Sequence, residues 1–294
     1  MDTKAAQVIE HYVLAFEGKP TGFAKSVSGG NIKGEVATHQ LGPDNVQKKH
    51  LATIKHEGIT LEVGMGIGRV MFDWINSAFT QGHSTRTGEI VAADFDYNVM
   101  RITEFHNAHI TEIGFPALDG SSKDPCYMTV KIEPERLRHR KPQGRQLKPR
   151  TDSTQWLASN FRFELGDLPC KRVSKIDAFT IKQGVVDDQV GGDRQKIEVP
   201  NLKLTFSAAD AEPWEAWFKS FVVDGQSSDA DELSGSITFL SPDHQSALGT
   251  IEIINAGIIS LQPAKTEANK EDLSRIVVEM YVEEMKIDFK EVDA

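Results

Sequence analysis

The sequence predicts a mainly β protein made of two tandem β-barrel or β-sandwich domains, each carrying a short helix. Three observations lead there. The chain is written twice: Ile59–Val63 leads through Phe72-Asp73-Trp74-Ile75-Asn76-Ser77 to Gly82, and Leu202–Phe206 leads through Glu215-Ala216-Trp217-Phe218-Lys219-Ser220 to Gly225. The two stretches align without a gap at an offset of 143 residues (217 − 74), and a fixed long period means two copies of one structural unit. Most of each copy alternates apolar and polar residues, the period of half-buried strands. One segment per copy has helical spacing instead.

Taken in order, Tyr12, Leu14 and Phe16 alternate with Val13 and Ala15, and Pro20 follows; Phe161, Phe163 and Leu165 alternate with Arg162 and Glu164 ahead of Pro169. Ile59, Leu61 and Val63 alternate with Thr60 and Glu62. The helical stripe comes next, as Val70, Met71, Trp74, Ile75, Ala78 and Phe79, and again as Trp214, Trp217, Phe218 and Phe221. Pro213 suits a first helical turn and Asp210 a cap before it. Trp74, Trp214 and Trp217 are expected to anchor the helices against the sheets. Arg86–Ile90 then faces Leu233–Ile237, and Glu104–Ala108 faces Glu252–Ala256. Tyr127–Glu133 is set against Val277–Glu283 as the closing strand, at an offset of 150 (283 − 133). The offset grows between elements, where loops absorb insertions.

Domains are accordingly expected at 1–134 and 155–294, joined by a basic Pro/Gly-containing linker at 135–154. The run from Glu135 to Arg150 reads either as a self-repelling, extended connector or as a basic strap lying on an acidic neighbour. The formal net charge of −10 argues against a nucleic-acid coat, because phosphate affinity needs basic surface. Two cysteines, Cys126 and Cys170, are too few for a disulfide framework or a metal cluster. The first residues carry no apolar run of a signal peptide, and no stretch approaches the ~18 apolar residues of a membrane span, so synthesis in the cytoplasm is expected.

Candidate chemistry is sparse. His106 and His109 would share a face on a helix, but the region reads as strand. His50 and His56 lack a ligand cage. Gly64-Met65-Gly66-Ile67-Gly68 lacks the Lys and Ser/Thr of a phosphate cradle and reads as a strand-to-helix turn. Asp187-Asp188 and Glu283-Glu284 read as exposed charge. No catalytic, cofactor-binding or metal-binding residue is expected.

In their order, Gly22-Phe23-Ala24-Lys25-Ser26-Val27-Ser28-Gly29, Ile59-Thr60-Leu61-Glu62-Val63-Gly64, Asp73-Trp74-Ile75, Asn107-Ala108 with Pro116 and Asp119, and the closing strand around Tyr127 to Glu133 resemble the tail tube proteins of contractile phages and related contractile injection systems. The chain is then a tandem version, also similar in layout to double-unit baseplate hub proteins. It departs from the family at Val63, where an arginine or lysine is common. The second copy diverges further, with Ile176-Asp177-Ala178 for Val-Ser-Gly and Ala216-Trp217 for Asp-Trp.

The resemblance implies a structural, non-enzymatic component: a ring-shaped channel of the inner tube or its baseplate end, through which DNA or protein cargo passes. Implied partners are further copies of the chain, as a homotrimeric pseudo-hexamer or a homohexamer, together with sheath, baseplate or spike proteins. A trimeric hub adaptor linking spike to tube is the alternative, and a non-assembling binding module or enzyme on a duplicated barrel is a further one. The resemblance also implies inter-subunit loops: His39–Glu57, with Lys48, Lys49, His50, Lys55 and His56, and Val185–Val199, with Asp187, Asp188 and Asp193 beside Arg194 and Lys196. A basic loop next to an acidic one favours head-to-tail contact of unlike units.

Overall fold

The computed structural model describes residues 9–40, 47–80, 84–142, 144–148, 156–186, 194–264 and 274–289. The first unit runs β1 (His11–Phe16), β2 (Lys19–Gly29), β3 (Ile32–Gln40), β4 (Gln47–His56), β5 (Ile59–Val63), α1 (Arg69–Thr80), β6 (Thr85–Ala93), β7 (Val99–Phe115), β8 (Leu118–Asp119), β9 (Met128–Glu133) and β10 (Arg136–Arg140). The second runs β11 (Phe161–Leu165), β12 (Val173–Ile176), β13 (Phe179–Val186), β14 (Arg194–Glu198), β15 (Leu202–Ser207), α2 (Ala211–Phe218), β16 (Leu233–Leu240), β17 (Ala247–Pro263) and β18 (Arg275–Phe289). The chain is mainly β, as expected.

In the first unit the antiparallel order β7-β6-β1-β2-β5-β9 closes on itself, because β9 pairs back onto β7. Closure removes the barrel's edges. In the second unit the corresponding order is β11-β16-β17-β18-β15-β12, and no β11–β12 pairing occurs among the described residues. The difference lies in the connection. β1 turns into β2 through Glu17 and Gly18 alone, both left-handed (φ 51° and 74°). β11 and β12 are separated by Gly166 to Arg172, which lines an open groove. One unit is thus a barrel and the other a barrel with one seam unzipped.

Strand register repeats between the units. Leu14 opposes Ile90 as Phe163 opposes Ile237, and Ile59 opposes Ile132 as Leu202 opposes Met280. Ile110 opposes Ile132 as Ile258 opposes Met280. The closing strands therefore correspond at an offset of 148 (280 − 132), not the 150 expected. A slip of two residues leaves every side chain on its original face, so alternation alone does not register it.

The same offset aligns β9 and β10 with the two halves of β18. Arg138 opposes Glu104 as Lys286 opposes Glu252. The segment expected as a linker therefore begins with a strand of the first barrel. Its arginines and the break at Pro134 disguise it.

A bulge also repeats. Asn107 and Asn255 are both left-handed (φ 48° and 54°). Each backbone N–H is capped by a hydroxyl of the neighbouring strand, Thr87 Oγ1 at 3.1 Å and Ser234 Oγ at 3.3 Å. Each side-chain amide donates to a carboxylate, Glu135 at 2.7 Å and Glu283 at 2.9 Å. Asparagine tolerates this backbone region better than other non-glycine residues.

Both helices seat on their sheets through indoles. Trp74 and Trp214 are fully buried and Trp217 is partly buried. Trp74 Nε1 donates to the Ser84 carbonyl (2.9 Å), Trp214 Nε1 to that of Pro169 (3.4 Å), and Trp217 Nε1 to that of Asp231 (3.3 Å). Phe221 falls in a wider π-turn, Lys219–Val223, that continues α2. Asp210 precedes α2 but makes no side-chain cap. Its carboxylate instead takes the Arg172 guanidinium at 3.2 Å, a charge-assisted bond.

Gly88 fits where no side chain does. A Cβ there would lie 2.7 Å from the Phe105 ring and 2.8 Å from the Ala15 carbonyl oxygen, whereas one on Gly184 would meet only the Lys196 carbonyl oxygen, at 3.9 Å. We expect Gly88→Ala to lower stability by about 1–3 kcal/mol through overpacking, and Gly184→Ala to leave it unchanged or raise it by up to about 1 kcal/mol. Urea unfolding midpoints of the two variants decide this.

Candidate assembly interface

The two units exchange strand edges. β13 of the second unit adds to β7 of the first, from Phe179 opposite Phe115 to Lys182 opposite Glu112. β8 of the first unit adds to β12 of the second. Aromatic rings fill the joint. Phe115 stacks on Phe179 (centroids 4.9 Å) and on Phe239 (5.8 Å), and lies 6.4 Å from Phe289. Phe289 also meets Phe72 of α1 at 5.2 Å, and its N–H donates to Asn76 Oδ1 at 3.3 Å. Trp156, which sequence reasoning passed over, packs edge-on against Phe239 at 4.9 Å. Buried residues of both units form one contiguous core.

The basic segment after β9 is a strap on its own barrel. β10 pairs with β7, Arg140 reaches Glu104, and Arg145 reaches Glu89. Leu147 is buried with Val13, Val91, Ala93, Val99 and Ile102 in a second small core. Of the two readings of this run, the strap on an acidic neighbour matches what is seen from Arg136 to Leu147, and the neighbour is Glu89 and Glu104.

The expected loop from His39 to Glu57 is mostly strand. β3 and β4 form a separate two-stranded hairpin that stands off the barrel. Both its faces are open to solvent, so no burial imposes the polar–apolar alternation that reveals other strands. Lys48, Lys49, His50 and Lys55 are all exposed on β4. His50 stacks on His39, with centroids 4.7 Å apart. Lys33 and Asn31 both bond Glu57, at 2.6 and 2.7 Å, and hold its carboxyl below its usual range. Ile32, Val36, Leu51 and Ile54 are 42–64% exposed.

The second expected loop is also a hairpin, β13–β14, but it docks on β7 rather than beside β3–β4. Asp187, Asp188 and Asp193 lie outside the described residues.

Residues 9–138 match the family model described as T4-like virus tail tube protein gp19. The match spans the first unit and less than half of the chain. Solved chains with a similar fold include one from the sheath–tube complex of an extracellular contractile injection system in the extended state (19% identity, 47% of this chain and 94% of that chain, TM-score 0.40). Another comes from the anti-feeding prophage tube-terminating cap (17% identity, 48% and 95%, TM-score 0.42). A comparison with curated protein sequences finds no match.

Within the first unit, His106 and His109 lie on β7, and the bulge at Asn107 leaves both on the face opposite the buried Phe105, Ala108 and Ile110. Among the described residues no helix is long and apolar enough to cross a membrane. Cys126 and Cys170 are free and buried, and burial pushes both thiols up from 9.0 to about 11.

Two outcomes follow. Because the fold favours the neutral thiol, the unfolded chain ionises first as pH rises, and stability should decline between pH 9.0 and about 11. The gap between urea midpoints measured at both ends of that window should narrow in the Cys126→Ala/Cys170→Ala variant, the remainder including Tyr281, whose phenol is pushed up from 10.0 to about 12 by burial and Glu232. Phe179→Ala, a buried truncation costing about 3–5 kcal/mol, should strip hydrogen-exchange protection from β13 and β14 while β1, β2 and β5 of the closed barrel keep theirs. Equal loss in all of these strands would show that the joint and barrel unfold together.

Proposed function

We propose that the chain is a tandem tube subunit: each copy supplies two tail-tube-like units, residues 1–134 and 155–294, to a ring around a channel. Three copies then give six units in a pseudo-hexamer. What supports this reading is the pairing of the two units within one chain. The second unit repeats the strand order and much of the register of the first and joins it edge to edge, through β13 on β7. That contact is heterologous, and a heterologous contact either closes into a ring or runs on as a filament.

The role is mechanical. Buried edges and aromatic packing hold a rigid wall, and an acidic chain, at −10 overall, repels nucleic-acid phosphates and so favours passage of DNA or protein cargo over adhesion. No catalytic step is assigned. Made in the cytoplasm, the chain would work inside an assembled particle, meeting sheath, baseplate or spike components.

Light scattering combined with negative-stain imaging tests the reading. Rings with open centres at the mass of three chains are expected, alone or stacked. Rings containing six chains would replace the pseudo-hexamer by a wider or double ring, and a persistent monomer at high concentration would overturn self-assembly.

A further inference from the structure

The internal joint has an unfilled counterpart at each end of the chain. Hairpin β3–β4 corresponds to β13–β14 pair by pair: Lys33 opposes Lys55 as Lys182 opposes Glu198, Gly34 opposes Ile54 as Gln183 opposes Ile197, and Glu35 opposes Thr53 as Gly184 opposes Lys196. Yet β13 lies on β7, while β3–β4 forms a sheet of its own. The receiving edge is repeated too. β7 takes β13 along Glu112–Phe115, and at the offset of 148 this segment corresponds to Ser260–Pro263 of β17. That stretch pairs with β18 on one side, while β16 ends its pairing at Ala256. Among the described residues its other edge is open, with Ile259 42% exposed. Unpaired edges are templates for another chain.

Side chains at the two joints differ systematically. Within the chain, Phe72 and Phe289 meet, as do Phe115, Phe179 and Phe239. By the same register, Phe72 corresponds to Glu215 (215 − 72 = 143) and Phe289 to Lys141 (289 − 141 = 148). Phe115, Phe179 and Phe239 correspond to Pro263, Gly30 and Ala92. None of these five phenylalanines has an aromatic counterpart, and the Phe72–Phe289 pair corresponds to a carboxylate and an ammonium. Glu215 and Lys141 are both exposed. Glu212 shares the exposed surface of α2 with Glu215, alongside Lys219, the counterpart of Asn76. Lys141 follows the basic run Arg136, Arg138, His139 and Arg140.

We propose that a second copy of this chain docks by the same operation as the internal joint. Hairpin β3–β4 of one copy adds to the open edge of β17 in the next, with Ile32 opposite Leu261, and Lys141 of the first copy meets Glu215 of the second. Pro263, which has no N–H, ends the ladder. The inference rests on the ring reading and names its contact. It sets two unlike strengths in one ring. The aromatic joint forms with the fold, whereas the charged one is screened by salt and always places a first unit beside a second.

Charge exchange tests it on the full chain. Glu215→Lys and Lys141→Glu should each shift the light-scattering mass to the monomer at low salt, with unchanged thermal unfolding, because both sites are exposed. The double variant should regain wild-type mass, and wild-type assembly should weaken with ionic strength. If wild-type rings form and both single variants assemble equally well, the joint is wrong while the ring reading stands. If the wild type stays monomeric at every concentration and salt level, the ring reading fails and takes the joint with it.

Discussion

Phe115 holds the molecule together. It ends the longest strand of the first barrel, and its ring touches residues from three separate parts of the second unit: Phe179 on β13, Phe239 on β16 and Phe289 at the end of β18. Aromatic pairs of this kind add about 0.5–1.5 kcal/mol each beyond the area they bury. The larger consequence is geometric. With Phe115 in place, β13 is held in register on β7 and α1 is covered by the end of β18. The two units consequently share one core instead of sitting as beads on a linker. Independent domains on a flexible connector would expose about as many edges as they pair. Here each unit lends the other a strand.

Sharing edges has a structural cost in the second unit. Its sheet keeps the strand order of the barrel but remains open between β11 and β12. β12 is short, Val173–Ile176, and two residues later the chain leaves as β13 for the neighbouring unit. In the first unit, β2 is continuous over eleven residues and serves β1 with one half and β5 with the other. Gly29 and Gly30, both left-handed, then turn the chain out into β3. The same order of strands thus yields a closed barrel with a free arm in the first unit and an open sheet with a docked arm in the second.

In the proposed ring, covalent linkage of two units turns one contact into an intramolecular one, which raises its effective concentration without new surface. Polar residues at the remaining contacts are consistent with that division of labour. A chain carrying aromatic surface at both ends would be prone to uncontrolled association before folding was complete. In the proposed ring, charge at the open end would keep the folded subunit soluble until it meets a matching copy.

Much of this was legible in the sequence because duplication and burial both leave periodic marks. The 143-residue repeat, the alternation of β1, β5, β11 and β18, and the indole-bearing stripes at Trp74 and Trp214 follow directly from which faces must be apolar. Where burial was absent, so was the signal. β3 and β4 expose both faces and read as a loop, and β10 hides its pairing behind arginines, of which Arg140 has its partner, Glu104, far away in sequence. The closing strand slipped by two residues because alternation is blind to even shifts. By itself the sequence determined that there are two related β units and which residues fill their cores, since those depend on local period and composition. Only the tertiary structure decided that β13 crosses to β7, that the second barrel stays open, and that Lys141 stands where its counterpart, Phe289, meets an aromatic partner. Strand partnership is a long-range choice among edges of similar local chemistry, and it is settled by which rings pack together once the chain has folded.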